Sequence, residues 1–406
     1  MALRIHLPNY PELPLPGKER YADRAMLLPG VVFVRAGEEV HDYRRFLNDI
    51  GIGAEIVVQV PEDDLFQGIL ESGELRSAVH CFVLGGGKLQ FFNSTAREEM
   101  FLQQLGLGWE DTISAPAEIS ALADNKAALR KLAMELGLTG LFPAHVFCRK
   151  RAEALAGVEM LQKEAEPDFI VLKRPDLASG LGLVKLRTDN PGLLKAQVES
   201  YFSKYGEARE LILEAGYEHL SLSVLWNIES DDEKPLIVSR QLVDERFVHQ
   251  GNIISSGLPP EVSVADGGQL VEKSSLLAKA LRERGFRGIC GFDFMKTRSG
   301  NIFCLECNGR ITATVYAYGL ARQIEAERGH KPWAVHMQNL HPENARNFAE
   351  LRAKLEPDLF DGQYGILPFN VRCLSLAEPK CGLMCVAEGA EEAAFLFESA
   401  VEATKK

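Results

Sequence analysis

The stretch Gly291-Phe-Asp-Phe-Met-Lys-Thr-Arg-Ser-Gly-Asn-Ile-Phe-Cys-Leu-Glu-Cys-Asn-Gly-Arg310 decides the fold of this 406-residue chain. It contains two runs with strand character, separated by a polar turn that includes Ser299-Gly300. If these two residues form a two-residue hairpin loop, the register places Asp293 directly opposite Glu306. The sequence therefore predicts a β-hairpin that carries two acidic side chains next to each other.

Side chains alternate between the two faces of a strand, so this hairpin has one apolar and one polar face. Phe292 and Phe294 point to the apolar face, whereas Asp293 shares the polar face with Glu306 and Asn308. Two carboxylates in this arrangement repel each other unless a cation lies between them. Mg²⁺ suits such a pair because it prefers oxygen ligands and completes its shell with phosphate oxygens. The alternative is a solvated polar face on which two acids are merely aligned.

The same stretch contains Cys304 and Cys307, which have the spacing of redox and zinc motifs. Alternation along the strand predicts that the two thiols point to opposite faces. They are therefore not expected to bind one metal ion together.

The hairpin resembles the signature of the ATP-grasp superfamily of carboxylate–amine ligases. The resemblance lies in the strand-borne aspartate and in the run Leu-Glu-Cys-Asn-Gly-Arg310. It implies that one or two Mg²⁺ ions, with Mn²⁺ as an alternative, bridge the phosphates of ATP and are bound by Asp293, Glu306 and Asn308. It also implies that Arg310 steadies the transferred phosphoryl group or the substrate carboxylate. The chain departs from the family pattern at Gly309, where proline is common.

Two upstream lysines resemble the nucleotide-binding lysines of the superfamily. Lys126 precedes a helix predicted over Ala127–Leu136, which Asp124 or Asn125 caps. Lys173 ends a predicted strand, where a lysine is ordinarily a solvated edge residue. An ammonium group aimed at a cleft neutralises phosphate oxygens, and the resemblance implies this role for both lysines.

A glycine-containing loop follows the second lysine and resembles the family loop that folds over phosphates with its backbone N–H groups as donors. The resemblance implies nucleotide contacts from Ser179, Gly180 and Gly182. Further along, Leu-Ile-Leu-Glu214-Ala-Gly-Tyr-Glu218 resembles the hinge that binds adenine. Either Glu214 or Glu218 is expected to hold the ribose.

One further segment, Asp244–Gly251, follows a predicted strand and precedes the Pro259-Pro260 turn. This fold has a loop near the cleft at that point. Arg246 is expected to bind a substrate carboxylate through a bidentate contact. An exposed polar loop is the alternative.

Composition excludes several classes of function. The net charge of −12 argues against nucleic acid or an anionic membrane as the main partner. No run approaches the roughly 18 apolar residues of a membrane span, and prolines interrupt the N-terminal sequence where a signal peptide has an apolar core. Eight cysteines in a chain of this length do not indicate a disulfide scaffold. These features predict a reduced, cytoplasmic protein, and a homodimer is compatible with them.

The predicted fold class is α/β (α+β), with the ATP-grasp architecture that the resemblance implies. An N-terminal βαβ domain spans residues 1–115, and a lid subdomain with its entry helix spans 116–212. A central antiparallel-sheet domain with the Mg²⁺ and ATP site spans 213–330, and an α+β lobe spans 331–406. Strands of the first domain are predicted at Val31–Arg35, Glu55–Val60 and His80–Leu84.

The activity implied by the resemblance is ligation. ATP converts a carboxylate to an acyl phosphate, and an amine then displaces phosphate to give an amide and ADP. Amino acids or small peptides are the expected carboxylate and amine substrates. Three alternatives remain open: an intramolecular amide-forming cyclase, a small-molecule kinase of the same fold, and a nucleotide-binding regulatory protein without turnover.

Overall fold

The N-terminal part of the chain is a parallel α/β layer. The structure, a computed structural model, describes residues 4–8, 18–61, 64–177, 182–206, 210–329 and 332–405. The first four strands are β1 (Arg4–Leu7), β2 (Val31–Arg35), β3 (Ile56–Val60) and β4 (Lys88–Phe91). They pair in parallel in the order β3-β2-β1-β4. The helices of this part are α1 (Glu38–Asp49), α2 (Leu65–Glu71), α3 (Gly73–Leu84) and α4 (Ala96–Leu105).

The strand predicted at His80–Leu84 is wrong, because these residues form the last turns of α3. Ser72 caps this helix by accepting a hydrogen bond from the Leu75 backbone N–H (3.2 Å). The helix ends at the glycine run, where Gly86 has a φ of 87°. A short apolar run fits a helix face as well as a strand. The cap eight residues upstream is the feature that decides for a helix.

A second, antiparallel sheet forms a small layer of its own. Its strands are β5 (His145–Cys148), β6 (Phe169–Lys173), β7 (Leu183–Leu186) and β8 (Leu211–Gly216), in the order β5-β8-β6-β7. The helices α7 (Arg151–Ala165) and α8 (Pro191–Tyr205) share one buried apolar cluster with this sheet. Two helices precede it: α5 (Ala117–Asp124) and α6 (Lys126–Glu135). Asn125, and not Asp124, caps α6 by accepting hydrogen bonds from two backbone N–H groups.

The largest layer is an eight-stranded sheet. Its strands are β9 (His219–Ile228), β10 (Glu233–Val243), β11 (His249–Ser255), β12 (Gly288–Thr297), β13 (Ile302–Asn308), β14 (Ala334–Leu340), β15 (Gly365–Phe369) and β16 (Cys381–Ala387). They lie antiparallel in the order β13-β12-β9-β10-β11-β14-β16-β15. The remaining helices are α9 (Val264–Glu283), α10 (Ala313–Arg328), α11 (Phe348–Leu355) and α12 (Ala390–Lys405).

The C-terminal part of the chain continues this sheet. Three of the eight strands, β14, β15 and β16, come from residues 332–405 and join the others through the pairing of β14 with β11. The same part packs against the N-terminal layer. Tyr43 Oη donates a hydrogen bond to Pro368 O (2.7 Å), and the rings of Phe46 and Phe348 lie 5.4 Å apart. Residues from both ends of the chain therefore meet in one core.

β12 and β13 form the predicted hairpin, but the predicted two-residue loop is wrong. Thr297 N donates a hydrogen bond to Asn301 O (2.8 Å), so the loop has three residues. It ends on Gly300, whose φ of 87° favours glycine.

A β-bulge compensates for the longer loop. Phe294 pairs with Cys304, whereas its neighbour Asp293 pairs with Glu306, so Leu305 is the extra residue. The prediction that Asp293 lies opposite Glu306 is therefore confirmed, by a different route from the one expected.

The bulge also corrects the expectation for the two cysteines of the hairpin. Cys304 and Cys307 both belong to the buried cluster that contains Phe292 and Phe294, and do not point to opposite faces. Both thiols are reduced and buried.

Membrane insertion by a helix finds no support in the described ranges. None of their helices combines the length and the apolar character that crossing a bilayer requires.

Candidate active site

Neighbouring strands bring the three predicted metal ligands together. Asp293 on β12 pairs with Glu306 on β13, and Asn308 Nδ2 donates a hydrogen bond to Asp293 Oδ2 (2.9 Å). On the other side of β12, Ser223 of β9 is the register partner of Asp293.

The two carboxylates differ in their electrostatic surroundings. Burial, and then the negative charge of Glu306, raises the pKa of Asp293. Burial acts in the same direction on Glu306, but the charge and hydrogen bond of Lys126, together with the charges of Lys173 and Arg310, outweigh it and lower the pKa of Glu306. Glu306 is thus already compensated by a cation, and Asp293 is the carboxylate that gains most from another.

This set of donors fits a divalent cation. Two carboxylates and an amide oxygen are ligand types that Mg²⁺ accepts, and a cation between Asp293 and Glu306 relieves their repulsion. Across the described residues, no group of three or more His, Cys, Asp and Glu side chains has the arrangement of a metal site. The third member of this centre is Asn308, an amide. The metal-binding role of all three residues stays a prediction.

Lys126 connects α6 to the acidic pair. Its Nζ lies 2.5 Å from Glu306 Oε2 and donates a hydrogen bond to Leu177 O (2.7 Å). Its backbone N–H donates to Pro175 O (3.0 Å). One residue therefore holds the segment after β6 close to the hairpin.

Lys173 belongs to a buried ion cluster. Its Nζ lies 2.5 Å from Glu214 Oε1, while Arg130 binds the other oxygen of the same carboxylate. Arg130 also donates to the carbonyl oxygens of Lys126 and Leu305, both at 3.0 Å. Sequence reasoning missed Arg130. The available signal was its position four residues after Lys126, on the same face of α6.

Burial and the mutual charges of its members shift the pKa values of this cluster. Burial lowers the pKa of Lys173 to about 8, although the charge of Glu214 opposes the shift. The pKa of Glu214 is lowered: burial would raise it, but the charges of Arg130 and Lys173 outweigh that effect. Both carboxylate oxygens of Glu214 therefore bind cations.

Glu218, the other candidate for the ribose, lies on the surface. It pairs with Arg298 of the hairpin loop. Together with Tyr217 and Phe247 it lines a cavity of about 940 Å³. The wall of this cavity combines residues of the small sheet with residues of the hairpin loop. The choice between Glu214 and Glu218 stays a prediction.

The predicted phosphate loop is described only at its end. Ser179 and Gly180 lie outside the described residues. Gly182 has a φ of 67°, and a Cβ there would lie 2.7 Å from Leu177 Cδ1. Its carbonyl accepts a hydrogen bond from Arg174 N (3.0 Å), which closes the base of the loop.

Arg310 and Gly309 are fixed by α5. Arg310 Nη1 lies 2.5 Å from Asp124 Oδ1, and the same oxygen accepts a hydrogen bond from Gly309 N (2.8 Å). Ser120 Oγ donates to Gly309 O (2.9 Å). Proline at position 309 would remove the N–H group that Asp124 binds, which accounts for the departure from the family pattern.

We expect Gly309→Ala to lower the free energy of unfolding by about 1–3 kcal/mol, because it overpacks a tight contact. A Cβ at Gly309 would lie 2.7 Å from Ala123 Cβ and 3.2 Å from Ser120 O. Urea unfolding followed by circular dichroism measures the change. Gly268→Ala is the control, because Gly268 is exposed on α9 and a Cβ there has nothing within 4 Å. Equal losses in the two variants would contradict the prediction.

Arg246 lies apart from the other candidates. It is exposed in the turn between β10 and β11, where its backbone N–H donates to Asp244 Oδ1 (2.9 Å). It lines neither the cavity beside Glu218 nor the cavity on the polar face of the hairpin. The structure does not bring Arg246 together with Arg310 or Lys173, and its contact with a carboxylate stays a prediction.

A cavity of about 470 Å³ opens on the polar face of the hairpin. This volume lies within the roughly 300–1,000 Å³ range of small-molecule sites. Asp293, Glu306, Asn308 and Arg310 form one wall. Arg24 from the N-terminal part, His249 from β11 and Lys380 from the C-terminal part complete it. Sequence reasoning missed Arg24 and Lys380, because their proximity depends on the tertiary fold. It placed the segment Asp244–Gly251, which contains His249, near the cleft, but selected Arg246 from that segment.

Comparisons with known proteins agree on the fold. No protein-family profile matches the sequence, and a search of curated proteins found no match. The chain is similar to N5-carboxyaminoimidazole synthetase from Staphylococcus aureus complexed with ADP, with 10% identity over 99% of this chain and 98% of that one and a TM-score of 0.57.

Two other solved structures show the same likeness. One is the biotin carboxylase domain of Hydrogenobacter thermophilus 2-oxoglutarate carboxylase, in complex with MgADP, ADP and bicarbonate. The identity is 14% over 98% of this chain and 89% of that one, with a TM-score of 0.59. The other is L-amino acid ligase from Bacillus licheniformis. The identity is 13% over 98% of this chain and 96% of that one, with a TM-score of 0.53. These neighbours are ATP-grasp structures, and the chain has the ATP-grasp fold. The predicted fold class is therefore confirmed.

Proposed function

We propose that this protein is an ATP-dependent ligase that activates a carboxylate as an acyl phosphate and joins it to an amine. One observation carries the proposal: the acidic pair Asp293–Glu306 lies at one cavity wall with Arg310, while Lys126 binds Glu306 of this pair. This arrangement combines groups that hold a cation with groups that neutralise phosphate. Such a site serves phosphoryl transfer mainly through positioning and electrostatics.

Each residue has a distinct part in this proposal. Lys126 and Lys173 bind phosphate oxygens of ATP through charge-assisted hydrogen bonds. Asp293, Glu306 and Asn308 hold one or two Mg²⁺ ions, which supply charge compensation when bound. Arg310, aligned by Asp124, binds the carboxylate or the transferred phosphoryl group.

For the substrates, we propose amino acids or small peptides. The L-amino acid ligase among the structural neighbours supports this class, whereas the complex with bicarbonate makes bicarbonate a necessary member of any substrate panel. A cavity of about 470 Å³ accommodates two small substrates more readily than a macromolecule.

The test is ADP release from purified protein with Mg-ATP, across pairs of amino acids and with bicarbonate. Hydroxylamine is added in a parallel series, because it traps acyl phosphates as hydroxamates. ADP release that requires a particular carboxylate, together with its hydroxamate, would support the ligase. A stable phosphorylated product without any amine would indicate a kinase instead. Mg-dependent ATP binding with no turnover in any mixture would indicate a regulatory protein.

We expect the affinity for a non-hydrolysable ATP analogue to fall as the pH rises above about 8. Burial lowers the pKa of Lys173 to about 8, whereas bound phosphates favour its charged form and raise that pKa. Binding above pH 8 therefore takes up a proton, and affinity falls by up to about tenfold per pH unit. Calorimetry in two buffers of different ionisation enthalpy measures the uptake. Lys173→Arg stays charged and should show no fall; an unchanged slope in this variant would rule out Lys173 as the titrating group.

A further inference from the structure

His249 lies at the wall of the cavity of about 470 Å³ on the polar face of the hairpin. It begins β11 and lines the cavity together with Glu306 and Arg310. Its Nε2 lies 2.6 Å from Asn252 Oδ1, and Asn252 Nδ2 donates a hydrogen bond to Ser239 Oγ (3.1 Å). Asn252 and Ser239 are both buried.

This chain of hydrogen bonds fixes the tautomer of the imidazole. Asn252 uses its nitrogen on Ser239, so its carbonyl oxygen faces His249 and can only accept. His249 must then donate from Nε2–H. In the neutral ring the lone pair is on Nδ1, which makes Nδ1 a proton acceptor.

The surroundings favour the neutral ring. Burial lowers the pKa of His249, and the charge of Arg24 reinforces this shift. The hydrogen bond to Asn252 and the charge of Glu306 oppose it without reversing it. The charged and titratable groups that share the cavity wall are Tyr21, Arg24, Asp293, Glu306, Arg310, His341, Lys380 and Cys381. Among them His249 combines burial, a defined tautomer and a free acceptor position.

The proposed ligation needs a proton acceptor. An amine that attacks an acyl phosphate must lose a proton, because the amide nitrogen carries one hydrogen fewer than the amine. Asp293 and Glu306 are assigned to the cation, and arginine does not accept protons. Lys126 is bound to Glu306 and Lys173 to Glu214.

We propose that His249 is the general base of the second step, an inference that rests on the proposed ligase function. The amine nitrogen forms a bond to the carbonyl carbon, and the bond from that carbon to the phosphate oxygen breaks. Phosphate leaves with the electron pair. The proton from nitrogen passes to His249 Nδ1 and then to solvent. Asn252 and Ser239 are positioning residues that keep Nδ1 as the acceptor.

The test compares two nucleophiles in His249→Ala, with the carboxylate that supports ADP release in the wild type. Hydroxylamine attacks acyl phosphates as a neutral nucleophile and needs little help from a base. We expect the amide-forming rate to fall by about 10²- to 10⁴-fold, the usual contribution of a general base, and hydroxamate formation to change by less than about threefold. Added imidazole should restore part of the amide-forming rate of this variant.

His336→Ala is the matched control. His336 is buried, whereas His249 is half-buried. The Nε2 of His336 also binds an amide oxygen (Gln338 Oε1, 2.8 Å), and burial also lowers its pKa, but it lies outside the cavity wall. The ratio of the amide-forming rate to the hydroxamate-forming rate in His336→Ala should equal that of the wild type.

Three outcomes would overturn the assignment of His249. They are an amide rate within about threefold of the wild type, equal losses with both nucleophiles, and a similar change of ratio in His336→Ala. Failure of the proposed function is seen separately, because the wild type itself would then form no hydroxamate with any carboxylate.

Discussion

Replacing Glu306 by glutamine will lower ADP formation by about 10²- to 10³-fold, the loss expected when one group that stabilises the transition state electrostatically is removed. Glu306 contributes a negative charge to the acidic pair and binds Lys126 Nζ at 2.5 Å. Glutamine keeps the shape but removes the charge. The proposed cation loses a strong ligand, and Lys126 loses its charged partner. The measurement is kcat for ADP release at saturating Mg-ATP, with a Mg²⁺ titration to separate weaker metal binding from slower chemistry.

The control for this variant is Glu210→Gln. Glu210 Oε2 also lies 2.5 Å from a lysine nitrogen, Lys131 Nζ. The Glu210 side chain is 21% exposed, against 22% for Glu306. It lines neither cavity. We expect Glu210→Gln to keep its activity within about twofold, in line with the small contribution of partly exposed ion pairs. If Glu306→Gln keeps more than a tenth of the activity, Glu306 does not hold a catalytic cation.

The sequence allowed the acidic pair to be predicted because the information is local. A hairpin fixes the relative positions of residues about a dozen positions apart, so Asp293 and Glu306 could be paired from the printed sequence. The loop length and the bulge at Leu305 could not be predicted separately. Each shifts the register by one residue and the two cancel.

Other parts of the site depend on contacts between distant segments. Arg24, His249 and Lys380 meet at one cavity although more than a hundred residues separate each from the next. No periodicity or spacing contains that information. β14 was missed for a related reason: it is an interior strand of a large sheet, and both of its neighbours, β11 and β16, lie far away in sequence.

The buried ion cluster shows what sequence reasoning leaves out even where it succeeds. Lys173 and Glu214 were both selected, but for contacts with nucleotide, not with each other. The structure pairs them and adds Arg130, whose side chain is fully buried. A buried carboxylate needs compensating charge, and two cations on Glu214 supply it. Two cations around one carboxylate leave the cluster with a net positive charge, which suits the phosphate contact proposed for Lys173.

We expect Arg130→Met to lower the free energy of unfolding by about 3–5 kcal/mol, the usual result of removing one partner of a buried ion pair. The variant leaves Glu214 with Lys173 alone and removes hydrogen bonds to the carbonyls of Lys126 and Leu305. Urea unfolding monitored by tryptophan fluorescence measures the loss, since Trp226 is buried in the eight-stranded sheet that contains Leu305. Loss of the bond to Leu305 also removes a support of the bulge that aligns Asp293 with Glu306.

Two further variants distinguish a buried-charge effect from lost packing. Arg149→Met removes an exposed arginine that binds Glu210 at 3.2 Å, and should change stability by less than about 0.5 kcal/mol. In Arg130→Met/Glu214→Gln the carboxylate that lacks its arginine is also neutralised, so part of the lost stability should return. The opposite outcome is that Glu214→Gln lowers the free energy of unfolding as much in the Arg130→Met background as in the wild type. In that case Arg130 stabilises the fold through packing and not through the charge of Glu214.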